Sequence, residues 1–425
     1  MHLNRVIVKN FKAITDMELE FAQGVNLLIG DNGVGKSSML EAIAVAMSGV
    51  FKGISGVSTK GITQNDVHFK ISGRGDASSE VCYGIPAEIT AFMDMDSEEY
   101  YLKKYRESEE GSARTKMKDD GIVKKMQKKT NSSEEILPLL CFQSDARVWQ
   151  TRRGDFGKKL KNKLNDRRCG YIGCLDYSLD IKGIQEWCLK MEVVAFQKNM
   201  KIKEYEAFKH IVSKFMQKIN GLDEAPEIYY SRQLEEMVYQ EKKIVMPITM
   251  LSAGYQSLLW MTMNLAYRWA LLNPDITENV EEAKGIVLID EVDMHLHPKW
   301  QWNIVSALAE TFPNVQFILT THSPIVISSA KEAKLILLDE NQQVKYLPDC
   351  YGYNVEDVLY YRQESISRPK SVKILIDQMN DAIDNDNFDL AEKTLISLKN
   401  ILGADNSEYK KMAGILEDAK MIWES

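Results

Sequence analysis

The chain has 425 residues, 44% of them hydrophobic, and a formal net charge of −8 at pH 7. That length can bury one sizeable core plus appendages, and the acidic balance excludes indiscriminate coating of nucleic acid while leaving local basic patches open. No apolar run reaches the ~18 residues of a membrane span, residues 1–5 lack the apolar core of a signal peptide, and the six scattered cysteines form no C-x-x-C pair, so a cytoplasmic setting with reduced thiols is expected.

In chain order, residues 5–8 and 16–21 alternate in polarity and predict two early strands, with Asn10-Phe11-Lys12 between them. Residues 25–29 form a short, mostly apolar strand. Gly30-Asp31-Asn32-Gly33-Val34-Gly35-Lys36-Ser37-Ser38 follows, and residues 39–44 have helical composition. Gly30, Gly35, Lys36 and Ser37 fit the phosphate-binding pattern G-x-x-x-x-G-K-[ST] without a mismatch. Glycines let successive backbone N–H groups face an anion, and the helix start adds its dipole. Lys36 then sits on the outer phosphates, and the Ser37 hydroxyl ligates Mg²⁺.

Asn-Phe-Lys, a short strand and this loop together resemble the opening of ABC-type ATPases of the RecF and SMC kind. The resemblance implies an α/β fold: a P-loop ABC-type ATPase head with a mixed central sheet, flanking helices and a β-rich lobe. It also implies that Lys12 and Asn32 lie near the nucleotide, with Gly33, Val34 and Ser38 completing the binding loop.

Residues 50–135 read as the β-rich lobe with a mobile tip, with strands over 80–93 and 99–105 and a charged, helical piece over 117–129. Residues 137–142 form a buried-type strand ending at Gln143. In ABC folds, a glutamine at such a strand end reaches the metal and the attacking water. Residues 150–245 read as a helical and basic insertion. Its basic run, 152–168, holds Arg152, Arg153, Lys158, Lys159, Lys161, Lys163, Arg167 and Arg168 against Asp155 and Asp166, as a solvated face or as a contact for DNA phosphates or an acidic partner. Apolar residues from Ile202 to Ile219 recur at spacings of three and four and predict a core-facing helix. Residues 227–245 read as a β-hairpin turning near 240–243.

Leu251-Ser252-Ala253-Gly254-Tyr255-Gln256-Ser257 opens a helix running to about residue 271. A serine hydroxyl and a glycine N–H at a helix start make a second anion cradle. The run resembles the ABC signature, in which case Ser252 and Gly254 face the γ-phosphate held by another subunit's loop. Residues 286–289 are fully apolar, as a central parallel strand requires, and end in Asp290 and Glu291. Adjacent strand residues point to opposite sides, so the two carboxylates divide their work. By resemblance to the Walker B motif, Asp290 holds Mg²⁺ and Glu291 polarises the hydrolytic water, while Asp293 lies at the dimer interface. His295 and His297 are expected to be structural or capping rather than metal ligands. Residues 316–320 form another buried strand, and His322 beyond it matches the ABC switch histidine.

This order of motifs implies a head over residues 1–340 that uses ATP and Mg²⁺, each ATP being sandwiched between copies in a head-to-head dimer or a higher even oligomer. Residues 341–425 read as a helical tail for partner binding or dimerisation, with stripes through Leu375, Ile383, Leu390, Leu395, Leu398 and Leu402. From 371 onward the tail holds eleven acidic and six basic side chains. Tyr351 to Leu359, Asn387 to Ala391 and Leu402-Gly403 resemble the C-terminal part of the Septu and retron-associated ATPases called PtuA. That resemblance implies an HNH nuclease partner controlled by nucleotide state in phage defence. A DNA-repair ATPase of RecF type and a nucleotide-gated scaffold with negligible turnover are the alternatives. No nuclease motif is found in the chain itself.

Overall fold

Runs of aliphatic residues with few polar interruptions build the centre of the molecule. A computed structural model describes residues 1–72, 80–144, 166–177, 179–362 and 369–424. Its central sheet has six strands in the order Val344–Leu347, Lys334–Leu338, Val25–Ile29, Val315–Thr320, Gly285–Ile289 and Leu139–Gln143. All are parallel except the first, which runs antiparallel to Lys334–Leu338. Every residue of the four strands from Val25–Ile29 to Leu139–Gln143 is buried, as a parallel sheet covered on both faces requires.

Two helices cover opposite faces near one edge of this sheet. Gln143 and Ile289 are paired in register, so Asp290, the next residue, points to the other face from both. On the Gln143 side lies the helix Ala253–Leu272, where Asn264 Nδ2 donates to Cys141 Sγ at 3.3 Å and Gln143 Nε2 donates to the Met261 carbonyl at 3.0 Å. On the Asp290 side lies the helix Lys36–Met47.

A five-stranded antiparallel sheet packs beside the central one, in the order Ile14–Glu20, His2–Phe11, Ala87–Met95, Glu98–Arg106 and Lys116–Asp119. The strands expected within residues 50–135 thus join the first two strands of the chain in one sheet, Ala87–Met95 pairing directly with His2–Phe11. Buried Gln316 links the two sheets. Its Oε1 accepts from Leu3 N–H at 2.7 Å, and its Nε2 donates to the carbonyls of Leu3 and Ala22.

Two helices, Ile181–Lys198 and Lys203–Asn220, precede a three-stranded sheet of Glu227–Ser231, Glu236–Glu241 and Ile244–Pro247. The expected single hairpin is thus two consecutive turns. The helical stripe holds: Tyr205, Phe208, Ile211, Val212, Phe215, Met216 and Ile219 are all buried.

The chain divides into Met1–Val355 and Glu356–Ser425. The strand Val344–Leu347 lies in the first unit, beyond the boundary expected at residue 340 and within a stretch read as helical. In the second unit, the helices Lys370–Asp384, Phe388–Leu402 and Ser407–Glu424 enclose Val372, Met379, Ala382, Ala391, Leu398, Met412 and Leu416. Leu375, Ile383, Leu395 and Leu402 pack against this core, but Leu390 is exposed rather than part of the stripe. Among the described residues, no helix is long and apolar enough to cross a membrane.

Candidate functional site

In a parallel sheet the loops beyond the strand C-termini converge, and ligands bind in the crevice they form. Here those ends carry Gly30, Asp290, Thr320 and Gln143. The loop after Val25–Ile29 turns through three left-handed glycines, Gly30 (φ 138°), Gly33 (φ 85°) and Gly35 (φ 106°). At Gly30 even a methyl group would lie 2.2 Å from the Leu338 carbonyl oxygen, so no side chain is tolerated there. Val34, Gly35 and Lys36 are buried, while Asp31, Asn32 and Gly33 are exposed at the tip. The helix Lys36–Met47 starts at Gly35 with no side-chain cap and no acidic residue in its first turn. Such a start, with neither a capping side chain nor an acidic residue of its own first turn, is the arrangement that suits a phosphate.

The Lys36 amine donates to the carbonyls of Gly30 (2.8 Å) and Asp31 (2.7 Å), folding it back over the loop. Burial lowers its pKa, opposed by the nearby Asp290, Asp31, Glu291 and Asp293 carboxylates. Ser37 Oγ donates to Asp290 Oδ1 at 3.1 Å, and Thr320 Oγ1 donates to the same oxygen at 2.5 Å. Glu291 N–H in turn donates to Thr320 Oγ1 at 2.7 Å. One threonine thus fixes both members of the carboxylate pair. Glu291 adopts a left-handed backbone (φ 45°), a conformation that costs a non-glycine residue on the order of 1–3 kcal/mol and persists only where the surroundings enforce it. The next residue repeats the pattern: Thr321 Oγ1 donates to Asp293.

His322 lies within the electrostatic reach of this cluster. Burial lowers its pKa first and the Lys36 charge second, against the pull of Asp293, Asp31 and Asp290. It is accordingly neutral at pH 7 and able to accept a hydrogen bond.

Other expected residues sit elsewhere. Gln143 is not brought to the carboxylates: its side chain faces Ala253–Leu272, and its buried Oε1 has no hydrogen-bond partner among the described residues. Lys12 is held on the flank of the phosphate-loop helix, one turn beyond Ser37. It pairs there with Glu41, which also accepts from the Tyr177 hydroxyl at 2.9 Å, and with Asp66 at 3.7 Å. Arg167 is consumed structurally, donating to the carbonyls of Leu272, Ser132, Ser133 and Glu135, and Arg168 pairs with Asp166. The rest of the basic run, 152–165, lies outside the described residues.

Ser252 and Gly254 form a second centre. Ser252 Oγ caps the helix Ala253–Leu272, accepting from Tyr255 N–H at 3.5 Å. Ser252 and Gly254 border a cavity of about 660 Å³ that is also lined by Asn220, Tyr255, His295 and Trp300. The segment after Asp290 runs directly to this cavity, so one short stretch of chain joins the two centres. His297 caps the helix Pro298–Gln301 through Nδ1, which accepts from Lys299 N–H at 3.2 Å. Among the described residues, no group of three or more His, Cys, Asp or Glu could hold a metal.

The donor set near the phosphate loop suits Mg²⁺ nonetheless. A serine hydroxyl and one carboxylate oxygen meet at 3.1 Å, and Mg²⁺ is ordinarily bound by one or two carboxylates together with substrate phosphates and water. Sequence reasoning missed Thr320 and Thr321 as holders of the carboxylates. Their position at the strand end before His322 was the available signal.

A family model described as AAA domain matches residues 5–244. A second, described as AAA domain, putative AbiEii toxin, Type IV TA system, matches residues 251–328. The chain is similar to the Retron Vc95 probable ATPase of Vibrio cholerae, 24% identical over 86% of this chain and 80% of that one. It is likewise similar to the Retron Ec83 probable ATPase of Escherichia coli, 24% identical over 98% and 86%. The Septu protein PtuA of Bacillus mycoides is 26% identical over 84% of this chain and 44% of its own length. These relatives bear out the Septu and retron resemblance read from the tail.

Proposed function

Because this chain is an ATPase of the AAA-domain family, we propose that it holds ATP between two copies of itself and uses nucleotide state to control a partner nuclease in phage defence. The observation that carries the shared nucleotide is the separation of its two anion-binding helix starts. The Gly30–Ser37 loop gathers Asp290, Glu291, Thr320 and His322, whereas Ser252 borders a cavity built from Asn220, Tyr255 and the 295–300 segment. Two cradles with different neighbours close on one triphosphate when each comes from a different copy.

In this reading the loop amides and Lys36 bind the β- and γ-phosphates, and Asn32 and Val34 shape the tip around them. Ser37 and Asp290 hold Mg²⁺, which when bound neutralises charge on the phosphates. Glu291 orients and deprotonates the attacking water. Neutral His322 donates its one ring N–H to a γ-phosphate oxygen, and Ser252 and Gly254 of the other copy complete the cradle. Asp293, anchored by Thr321, lies between the two centres and is assigned to the dimer contact. The similarity to retron and Septu proteins over most of the chain supports the defence setting, and the HNH type of the partner nuclease is proposed from the family resemblance of the tail alone.

The test is the mass of the Glu291→Gln chain with and without ATP and Mg²⁺. The proposal expects hydrolysis to fall by two orders of magnitude or more and ATP to accumulate dimers. A variant that hydrolyses ATP at the normal rate, or that stays monomeric with ATP bound, removes the assigned roles.

A further inference from the structure

Trp300 belongs to the stretch that leaves the carboxylates, yet its contacts serve the other centre. Its ring meets Tyr255 edge-on, with centroids 4.7 Å apart and planes at 83°. Its Nε1–H donates to Asn220 Oδ1 at 2.8 Å, and the Tyr255 hydroxyl donates to the same oxygen at 3.4 Å. Asn220 is itself fixed, its Nδ2 donating to the Met216 carbonyl at 3.0 Å.

The indole also forms the floor under Gly254. A methyl group added there would lie 2.9 Å from Trp300 Cζ3 and 2.7 Å from the His295 carbonyl oxygen. The glycine of the serine-led helix is thus seated directly on the 295–300 segment. That segment has a defined form of its own. Glu291 and His295 are both left-handed, at φ 45° and 62°. From the next helix, Asn303 Nδ2 donates to the Ile219 carbonyl at 3.0 Å, one residue before Asn220.

We propose that Trp300, held by Asn220, is a positioning residue that sets Ser252 and Gly254 for hydrolysis of the nucleotide bound by the neighbouring copy. This rests on the shared-nucleotide reading above. Under it, the segment from Asp290 to Trp300 begins at one site of the dimer and ends at the other. A shift of the indole then displaces the cradle offered to the partner and leaves the chain's own phosphate loop in place. Geometry of this kind acts on turnover more than on binding, because small misplacements of a stabilising group cost rate even when the nucleotide stays bound.

The experiment mixes two defective copies. Lys36→Ala lacks its own phosphate grip but supplies an intact Ser252. Ser252→Arg supplies the phosphate loop and carboxylates but no signature. Each is inactive alone, and the mixture regains one working site per dimer. Trp300→Ala is then placed in one copy at a time.

In the Lys36→Ala copy it is expected to lower kcat of the mixture at least tenfold with KM changed less than twofold. In the Ser252→Arg copy it is expected to change kcat less than twofold. Trp300→Phe, which keeps an aromatic ring against Tyr255 but loses the Asn220 hydrogen bond and part of the indole, and Asn220→Ala, which keeps the whole indole and loses only that bond, give smaller losses in the same copy. They carry the comparison where the alanine variant fails to fold. Equal losses from either copy, or no loss from the Lys36→Ala copy, overturn the proposal. If the two unmodified defective copies regain nothing together, the shared-nucleotide reading fails first and takes this inference with it.

Discussion

Thr320→Val removes one hydroxyl and almost no volume, and it acts at once on the Asp290 carboxylate and on the Glu291 backbone. Thr320 is 1% exposed, donates to Asp290 Oδ1 at 2.5 Å and accepts from Glu291 N–H at 2.7 Å. A hydrogen bond to a charged group contributes about 1.5–3 kcal/mol, and a donor left unsatisfied costs about 1–3 kcal/mol. Ser37 still serves Asp290, so the lower ends apply and the loss sums to about 2.5 kcal/mol. Unfolding entropy of roughly 2.1 cal/mol/K per residue, taken over Met1–Val355, gives roughly 0.75 kcal/mol/K. The melting temperature of that unit should therefore fall by about 3 °C. Steady-state hydrolysis should fall about tenfold, since Glu291 loses the contact that enforces its left-handed backbone. Thr320→Ser should restore most of both. Calorimetry and a phosphate-release assay on the three chains decide the matter. A valine variant that melts within 1 °C of the parent and turns over normally refutes the bridging role.

Gly30→Ala should abolish nucleotide binding and destabilise the first unit, because the added methyl meets the Leu338 carbonyl at 2.2 Å; equilibrium binding of a fluorescent ATP analogue checks it. The His322 pKa is lowered from 6.5, so the folded protein favours the neutral ring. The His322 contribution to stability, and turnover with it, should stay level above pH 6.5 and decline as the pH falls below it, and the decline in turnover should vanish from the residual activity of His322→Gln. Lys104 is buried against Ser48 and the Lys60 carbonyl, and burial lowers its pKa from 10.5 to about 7. Its charged form is therefore penalised in the folded state, and stability should rise between pH 7 and 10.5 by no more than about 5 kcal/mol. Lys104→Met should be more stable at pH 7 and should lose that rise, as urea unfolding at several pH values would reveal.

The sequence carried the parts of this site that depend on local chemistry. A glycine loop between an apolar strand and a helix, and a carboxylate pair closing an apolar run, have few other uses, and the strands at 25–29, 285–289 and 315–320 appear where the patterns put them. What depends on distant packing was less legible. Ala87–Met95 pairs with His2–Phe11, a partnership that no local pattern encodes. The run ending at Gln143 was evident as a strand, but the face its glutamine occupies depends on which helix covers that side. The acidic tail's stripe misplaced Leu390 because helical periodicity fixes spacing and leaves the width of the buried face open. Thr320 and Thr321 read as ordinary β-formers until the folded strand end brought Asp290, Glu291 and Asp293 to their hydroxyls.

The central claim is that one triphosphate is held by Gly30–Ser37 of one copy and by Ser252 of another. It is tested most directly by cross-linking a mixture of Asn32→Cys and Ser252→Cys chains in the Glu291→Gln background, with the joined peptides identified by mass spectrometry. The account predicts a 32–252 link between different chains that forms with ATP and Mg²⁺ and is absent without nucleotide. A link that is absent with ATP bound, or that forms equally without nucleotide, would contradict it.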